Sequence, residues 1–191
     1  MDIVAQVKEV VMNDIEKHKN KREDHYDYWN EHIKYVYKEA VLLAKKYNAE
    51  LEIVQLGALL HDIASIKMVG TRADHHINGK IIAEEILTRY EYPREKMERV
   101  LGCVYNHRSS KNATNIEEQC VADADVLAHF DNILMIFSIA YKQEDNKNLA
   151  NLKEWLKKYF KKDFDDLSDL TKKEFKERYK LICQVVLGEE L

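Results

Sequence analysis

Hydrophobic positions recur along this chain with a helical period. Ile33, Val36, Tyr37, Ala40, Leu43, Ala44 and Tyr47 follow i, i+3, i+4, i+7 spacing and predict a helix over about 28–47. Asn48-Ala49-Glu50 is a short connection to a second helix, LEIVQLGALLHDI, which is apolar on most sides and so expected at the centre. The stretch from Ile66 to Arg72 reads as a loop around Gly70, and Asp74 is a candidate N-cap for a helix reaching about Tyr90. Pro93 stands where a first-turn proline belongs, ahead of a helix with Met97, Val100, Leu101 and Val104 on one face. SSKNATN at 109–115 is a polar loop. A helix over about 117–142 follows, with a break expected near Asp131. After a polar connection at 143–151, two amphipathic helices over about 152–190 are joined by an acidic stretch at 163–169. There is no internal repeat and no alternating strand pattern.

Composition narrows the architecture. One proline and five glycines leave few residues for turns, which excludes a sandwich or barrel and favours long helices with short links. The expected fold is an all-α, single-domain helical bundle. Residues 1–150 form its main body, and 151–191 are a helical extension packed on the same domain. At 191 residues the chain can bury a full core without disulfides. Cys103, Cys120 and Cys183 are odd in number and form no CxxC, so reduced, buried thiols and a cytoplasmic setting are expected. The net charge of −4 calls for no nucleic-acid partner. The lysine pairs at 157–158 and 161–162 stand beside Asp163, Asp165 and Asp166 and read as a solvated helix face. The amphipathic N-terminus has no h-region, and no apolar run approaches the ~18 residues of a membrane span. The amphipathic C-terminal helices are candidates for a homodimer contact.

The chemistry lies in the histidines and a few acids. A lone histidine on an apolar face is more often a hydrogen-bonded core residue than a ligand, so the case rests on joint placement. His32 shares the inward stripe of its helix with Val36, Ala40 and Leu43. His61-Asp62 ends the apolar run GALLHD, where an unpaired carboxylate would be very costly. A divalent ion or a basic residue could balance it, and the first basic residue downstream is Lys67. The short connection makes the two helices antiparallel, which brings His32 and His61 to the same end of the pair. His61 and Asp62 are ~100° apart around a helix, so both serve one ion only if the helix ends there. Asp125 shares an inward face with Val121, Ala124 and Ala128, while Asp123 points away and reads as a surface acid. Gly79 inside a helix costs ~1 kcal/mol against Ala and marks a close backbone approach. His107 extends the face of Val100 and Val104, with Arg108 next to it. Two histidines and two carboxylates suit a divalent transition ion. Further histidines among His75, His76 and His107 could hold a second metal or bind a phosphate.

These residues resemble the HD superfamily of metal-dependent phosphohydrolases. The segments that carry the resemblance are WNEHIKYV, GALLHDIAS and VADADVLAHF, with HHINGKIIAEEIL and VLGCVYNHRSS resembling a subgroup with extra histidines. They cover about residues 25–135. The resemblance implies an HD-type helical bundle with His32, His61, Asp62 and Asp125 as metal ligands. It also implies that His75 or His76, together with His107, forms a second-metal or phosphate-binding set. Some members carry an acid shortly after the His-Asp pair. HDIASIK has none, which sets the chain apart from alarmone-hydrolase and deoxynucleotidase subtypes.

The expected function is hydrolysis of a small phosphorylated substrate, a phosphoester or nucleotide, by a metal-activated water. The cofactor would be one or two ions of Mn, Fe, Ni, Zn or Co. Asp62 is the expected catalytic residue, bridging ions or orienting the water, while Arg108 and Lys80 are expected to bind substrate phosphate. The rival readings are a di-iron oxygenase on the same scaffold and a non-catalytic metal- or nucleotide-binding helical module.

Overall fold

The computed structural model describes residues 2–21 and 26–188. Among these the fold is all-α, with no strand. Helix α1 (Ile3–Lys19) is followed by a π-helical turn at Trp29–Ile33 that runs directly into α2 (Lys34–Tyr47). Then come α3 (Leu51–Leu60), the single turn α4 (Ile63–Ile66), α5 (His75–Arg89) and α6 (Arg94–Asn106). Helices α7 (Ile116–Asp131), α8 (Ile133–Tyr141), α9 (Leu149–Asp166) and α10 (Asp169–Leu187) complete the chain. Residues 189 and 190, which the period assigns to the last helix, lie outside the described residues.

Helix α3 is central because its sequence is apolar on most sides. Ile53, Val54, Leu56, Ala58, Leu59 and Leu60 are all fully buried, and the helix packs on α1, α2, α6 and α7. Truncating one of these leucines to alanine would cost ~2–5 kcal/mol. Two glycines allow close approach. A Cβ on Gly57 would meet Cys103 Cβ at 2.6 Å, so α3 lies directly against α6. One on Gly79 would meet Val104 Cγ1 at 3.3 Å and the His61 carbonyl at 3.5 Å, so the expected close approach is that of α5 to the end of α3. Helix α9 packs on α7, α8 and α10. The three cysteines are free and buried. No helix among the described residues is long and apolar enough to cross a membrane.

Several local expectations change. Asp74 stands at the N-cap of α5 as expected, but its side chain makes no capping bond. Its Oδ1 turns back to accept from the Thr71 backbone N–H (2.6 Å) and hydroxyl (3.0 Å), because the preceding loop folds over it. Pro93 sits one position ahead of α6, at its N-cap. The acidic stretch near 163 belongs to α9, which continues to Asp166, and Ser168 caps α10. The break near Asp131 is present at Asn132.

Asp123 is the largest correction. It is fully buried rather than on the surface. Its carboxylate accepts from the hydroxyls of Ser110, Ser168 (2.5 Å) and Thr171 (2.6 Å) and from the Ser168 backbone N–H (2.8 Å). The 109–115 loop and the first turn of α10 fold over this face of α7, so a residue that helical phase directs away from Asp125 is still enclosed.

Candidate metal centre

Helix ends and one helix face bring the polar side chains together. The apolar run of α3 stops at Leu60, leaving His61 at its C-cap and Asp62, at φ −106° and ψ 18°, outside the helix. The turn therefore supplies the break that lets both side chains face one point. His32 comes from the π-helical turn ahead of α2, and its Nε2 lies 3.2 Å from His61 Nε2. Asp125, on α7, places Oδ1 3.0 Å from His32 Nε2 and 3.7 Å from His61 Nε2. Asp62 Oδ2 is 3.8 Å from each of the same two nitrogens, while its Oδ1 is 3.4 Å from His75 Nε2. His75 opens α5 and His107 follows α6, with their Nε2 atoms 2.9 Å apart.

Tautomers decide what these distances mean. Nδ1 of His61 lies 2.8 Å from the Ala58 carbonyl, that of His75 2.8 Å from Arg72 O, and that of His107 2.7 Å from Val104 O. A carbonyl only accepts, so each Nδ1 carries the proton and each Nε2 presents a lone pair. Metal-ligating histidines are oriented in this way. Two lone pairs cannot face each other at 2.9 Å without a positive charge between them. Burial, followed by the neighbouring His61, lowers the pKa of His107 to about 4, so an imidazolium there is disfavoured near neutral pH. A divalent cation fits the donor set better than a proton does.

The carboxylates agree. Burial works to raise the pKa of Asp62, but His61, His32 and His107 outweigh it and hold the group below its ordinary value. Burial likewise opposes ionisation of Asp125, and His32 with its neighbours holds that group well below the ordinary range. Among the described residues, the ion-pair partners of both carboxylates are histidines. Lys67, the nearest basic residue after Asp62 in sequence, is turned to Asp14 at 3.1 Å. Three groups of side chains lie close enough to share an ion: His32, His61 and Asp62; Asp62, His75 and His107; and His32, Asp125 and His129.

The cluster forms the floor of a cavity of about 890 Å³ lined also by Tyr26, Arg72, Arg108, Tyr159 and Lys162. Arg108 anchors the α5 entry by donating to the Ala73 carbonyl at 2.9 Å. His76 does not reach the centre. Its ring lies 5.3 Å from that of Tyr105 and faces a second cavity of about 630 Å³. Lys80 lines neither cavity and lies over the Tyr105 ring at 5.5 Å.

His129 joins the centre although helical period and spacing do not single it out. It sits one turn after Asp125 on the same face, its ring stacked on His32 at 5.5 Å, and its Nδ1 is 2.8 Å from Asp163 Oδ2. Burial lowers its pKa, but the Asp163 carboxylate outweighs that and raises it. The signal was present as the i, i+4 pair Asp125 and His129. Asp163, which gives the pair meaning, is 34 residues farther along.

The comparisons bear on the fold and the family. A crystal structure of an HD-superfamily hydrolase from Bacillus thuringiensis has the same fold, with TM-score 0.65 at 22% identity over 95% of each chain. A predicted HD superfamily hydrolase from an uncultured Thermotogales bacterium gives TM-score 0.58 at 19% identity, covering 83% of this chain and 89% of that one. A tRNA (cytidine(56)-2'-O)-methyltransferase from Thermoplasma volcanium is 29% identical over 163 residues, 74% of this chain. The chain spans only 45% of the length of that curated relative. The family model for the HD domain matches residues 30–129, more than half of the chain and the whole stretch from His32 to His129, so the chain belongs to the HD-domain family.

Proposed function

We propose that this chain is a metal-dependent phosphohydrolase acting on a small phosphoester, nucleotides included. The observation that carries the reading is the pair of facing lone pairs on His75 and His107, joined through Asp62 to the His32, His61 and Asp125 cluster under a cation-rimmed cavity. An imidazole lone pair serves one ion, whereas a carboxylate can serve two. His32, His61, Asp62 and Asp125 would therefore hold a first ion. Asp62, His75 and His107 would hold a second, with Asp62 bridging.

Bound divalent ions would supply Lewis-acid charge at the phosphoryl oxygens and a water acidified to near-neutral pH. The chain's own residues do the rest. Asp62 fixes the spacing of the two donor sets and accepts a hydrogen bond from the attacking water. Arg108 and Arg72 at the rim neutralise phosphate charge, while Lys162 is paired with Asp166 at 2.8 Å. Tyr26 and Tyr159 enclose the substrate body. His76 and Lys80 lie off this path and are not assigned to it.

The methyl transfer named for the Thermoplasma relative is not proposed here, because the match covers less than half of that protein. The test is direct. His61→Ala and Asp62→Ala should each lose bound metal and turnover of a phosphoester panel. A metal-loaded wild type that hydrolyses nothing across mononucleotides, cyclic nucleotides and aryl phosphates would sink the assignment. Iron-loaded protein that consumes O2 and hydrolyses no phosphoester would favour the oxygenase reading instead.

A further inference from the structure

The family match stops at His129, and the group that holds His129 lies beyond it on α9. Asp163 is 4% exposed, and its Oδ2 is 2.8 Å from His129 Nδ1. Tyr159, also on α9, places its hydroxyl 3.4 Å from the same nitrogen. A carboxylate only accepts, so Nδ1 carries a proton and Nε2 is the nitrogen left to bind a cation when its own proton is displaced. That nitrogen points to the cavity floor, 3.9 Å from Asp125 Oδ1. The ligand atoms of His32, Asp125 and His129 all lie within 4.8 Å of one another. Donors around one octahedral ion with bonds of ~2.1 Å stand ~3.0 Å apart when adjacent and ~4.2 Å when opposite. The 3.0 Å from His32 Nε2 to Asp125 Oδ1 matches adjacent donors, and the 3.9 Å from Asp125 Oδ1 to His129 Nε2 lies between the adjacent and opposite values, so side-chain shifts of under ~1 Å bring the three donors onto one ion.

His32 and Asp125 also belong to the first donor set, and His32 has one Nε2 lone pair to give. The group containing His129 therefore describes the same ion, not a third one. We propose that His129, oriented by Asp163 as a positioning residue, is a fifth protein ligand of the ion held by His32, His61, Asp62 and Asp125. The inference rests on the metal centre of the proposed function. It adds that α9, outside the family match, completes the centre. It also sets the metal class: five protein donors exceed the four of a tetrahedral zinc site and leave one open position on a six-coordinate ion such as Mn, Fe, Co or Ni.

Cobalt(II) is the probe, since its visible absorption is strong when four-coordinate and weak when six-coordinate. Metal-stripped wild type, His129→Gln and Asp163→Asn would be titrated with Co(II) by calorimetry and visible spectroscopy. The wild type is expected to give the weak spectrum. Asp163→Asn is expected to bind the first ion about 10–100-fold more weakly, the usual effect of removing a ligand's supporting carboxylate. His129→Gln is expected to bind at least as weakly and to change the spectrum. If His129→Gln destabilises the fold by leaving Asp163 unpaired, the double variant His129→Gln/Asp163→Asn removes that charge and gives the same readout. Unchanged affinity and spectrum in the variants overturn the inference and leave the metal centre standing. A wild type that binds no Co(II) overturns both.

Discussion

His75 and His107 face each other through Nε2 atoms 2.9 Å apart, and the carbonyls of Arg72 and Val104 hold both ring protons on the far side. The pair is therefore built for a cation. His75→Ala or His107→Ala should lower metal content by one ion per chain while the His32 set keeps its own. His76→Ala, one residue from His75 but turned to Tyr105, should leave metal content unchanged. Elemental analysis of the purified variants checks this. Equal loss in the His75 and His76 variants would contradict it.

The same geometry makes metal a folding ligand. Without an ion, the Nε2 lone pairs of His61, His75 and His107 and two carboxylates are packed together in a largely buried cluster. Chelation should lower Tm, and readdition of Mn(II) or Co(II) should restore it. At a free-ion concentration 100 times Kd, binding contributes ~2.7 kcal/mol. For a chain of this size that corresponds to a shift of roughly 5–11 °C. Differential scanning fluorimetry with and without chelator measures it, and an unchanged Tm would argue against preformed ligands.

The legible part of this centre was the part encoded locally. GALLHD announces both a buried helix and its end, so the His61-Asp62 break could be read directly. The close approach at Gly79 was also readable, because a glycine inside a helix needs a reason. Packing decided the rest. Helical phase alone does not choose between His75 and His76. The choice falls to the neighbour each ring meets, His107 or Tyr105. Asp123 looked exposed because its partners Ser110, Ser168 and Thr171 lie 13, 45 and 48 residues away. His129 is hidden from local sequence for the same reason, since Asp163 reaches it only once α9 packs on α7.

Asp123 carries a stability prediction of its own. Its carboxylate joins α7, the 109–115 loop and the N-terminus of α10, with donors on both oxygens. Asp123→Ala leaves three hydroxyls and the Ser168 N–H without their acceptor. Hydrogen bonds to a charged group contribute ~1.5–3 kcal/mol each, and neighbouring ones do not add fully. The variant should lose about 3 kcal/mol by urea denaturation and keep its metal content. A loss under ~1 kcal/mol would mean that water replaces the carboxylate, and a loss of metal would mean that Asp123 supports Asp125 directly.

Titration of His107 gives the metal-free protein a distinct acid response. Its folded pKa is about 4, lowered from 6.5 chiefly by burial. Between those values the unfolded chain binds the extra proton, so stability falls as pH drops through the window. The full effect is about 3 kcal/mol at pH 4 relative to pH 7. His129 works in the opposite sense. Asp163 raises its pKa, so its contribution is complete below the ordinary histidine value and is lost as pH rises through the folded one. Asp62 and Asp125 are held below 3.8, so their contributions are lost only under more acid conditions. His107→Gln removes one titrating group and leaves the others. Urea midpoints of metal-stripped protein at pH 7, 6, 5 and 4.5 should fall less steeply in that variant than in wild type. Parallel slopes would show that His107 is solvated in the metal-free state and that its burial depends on the ion.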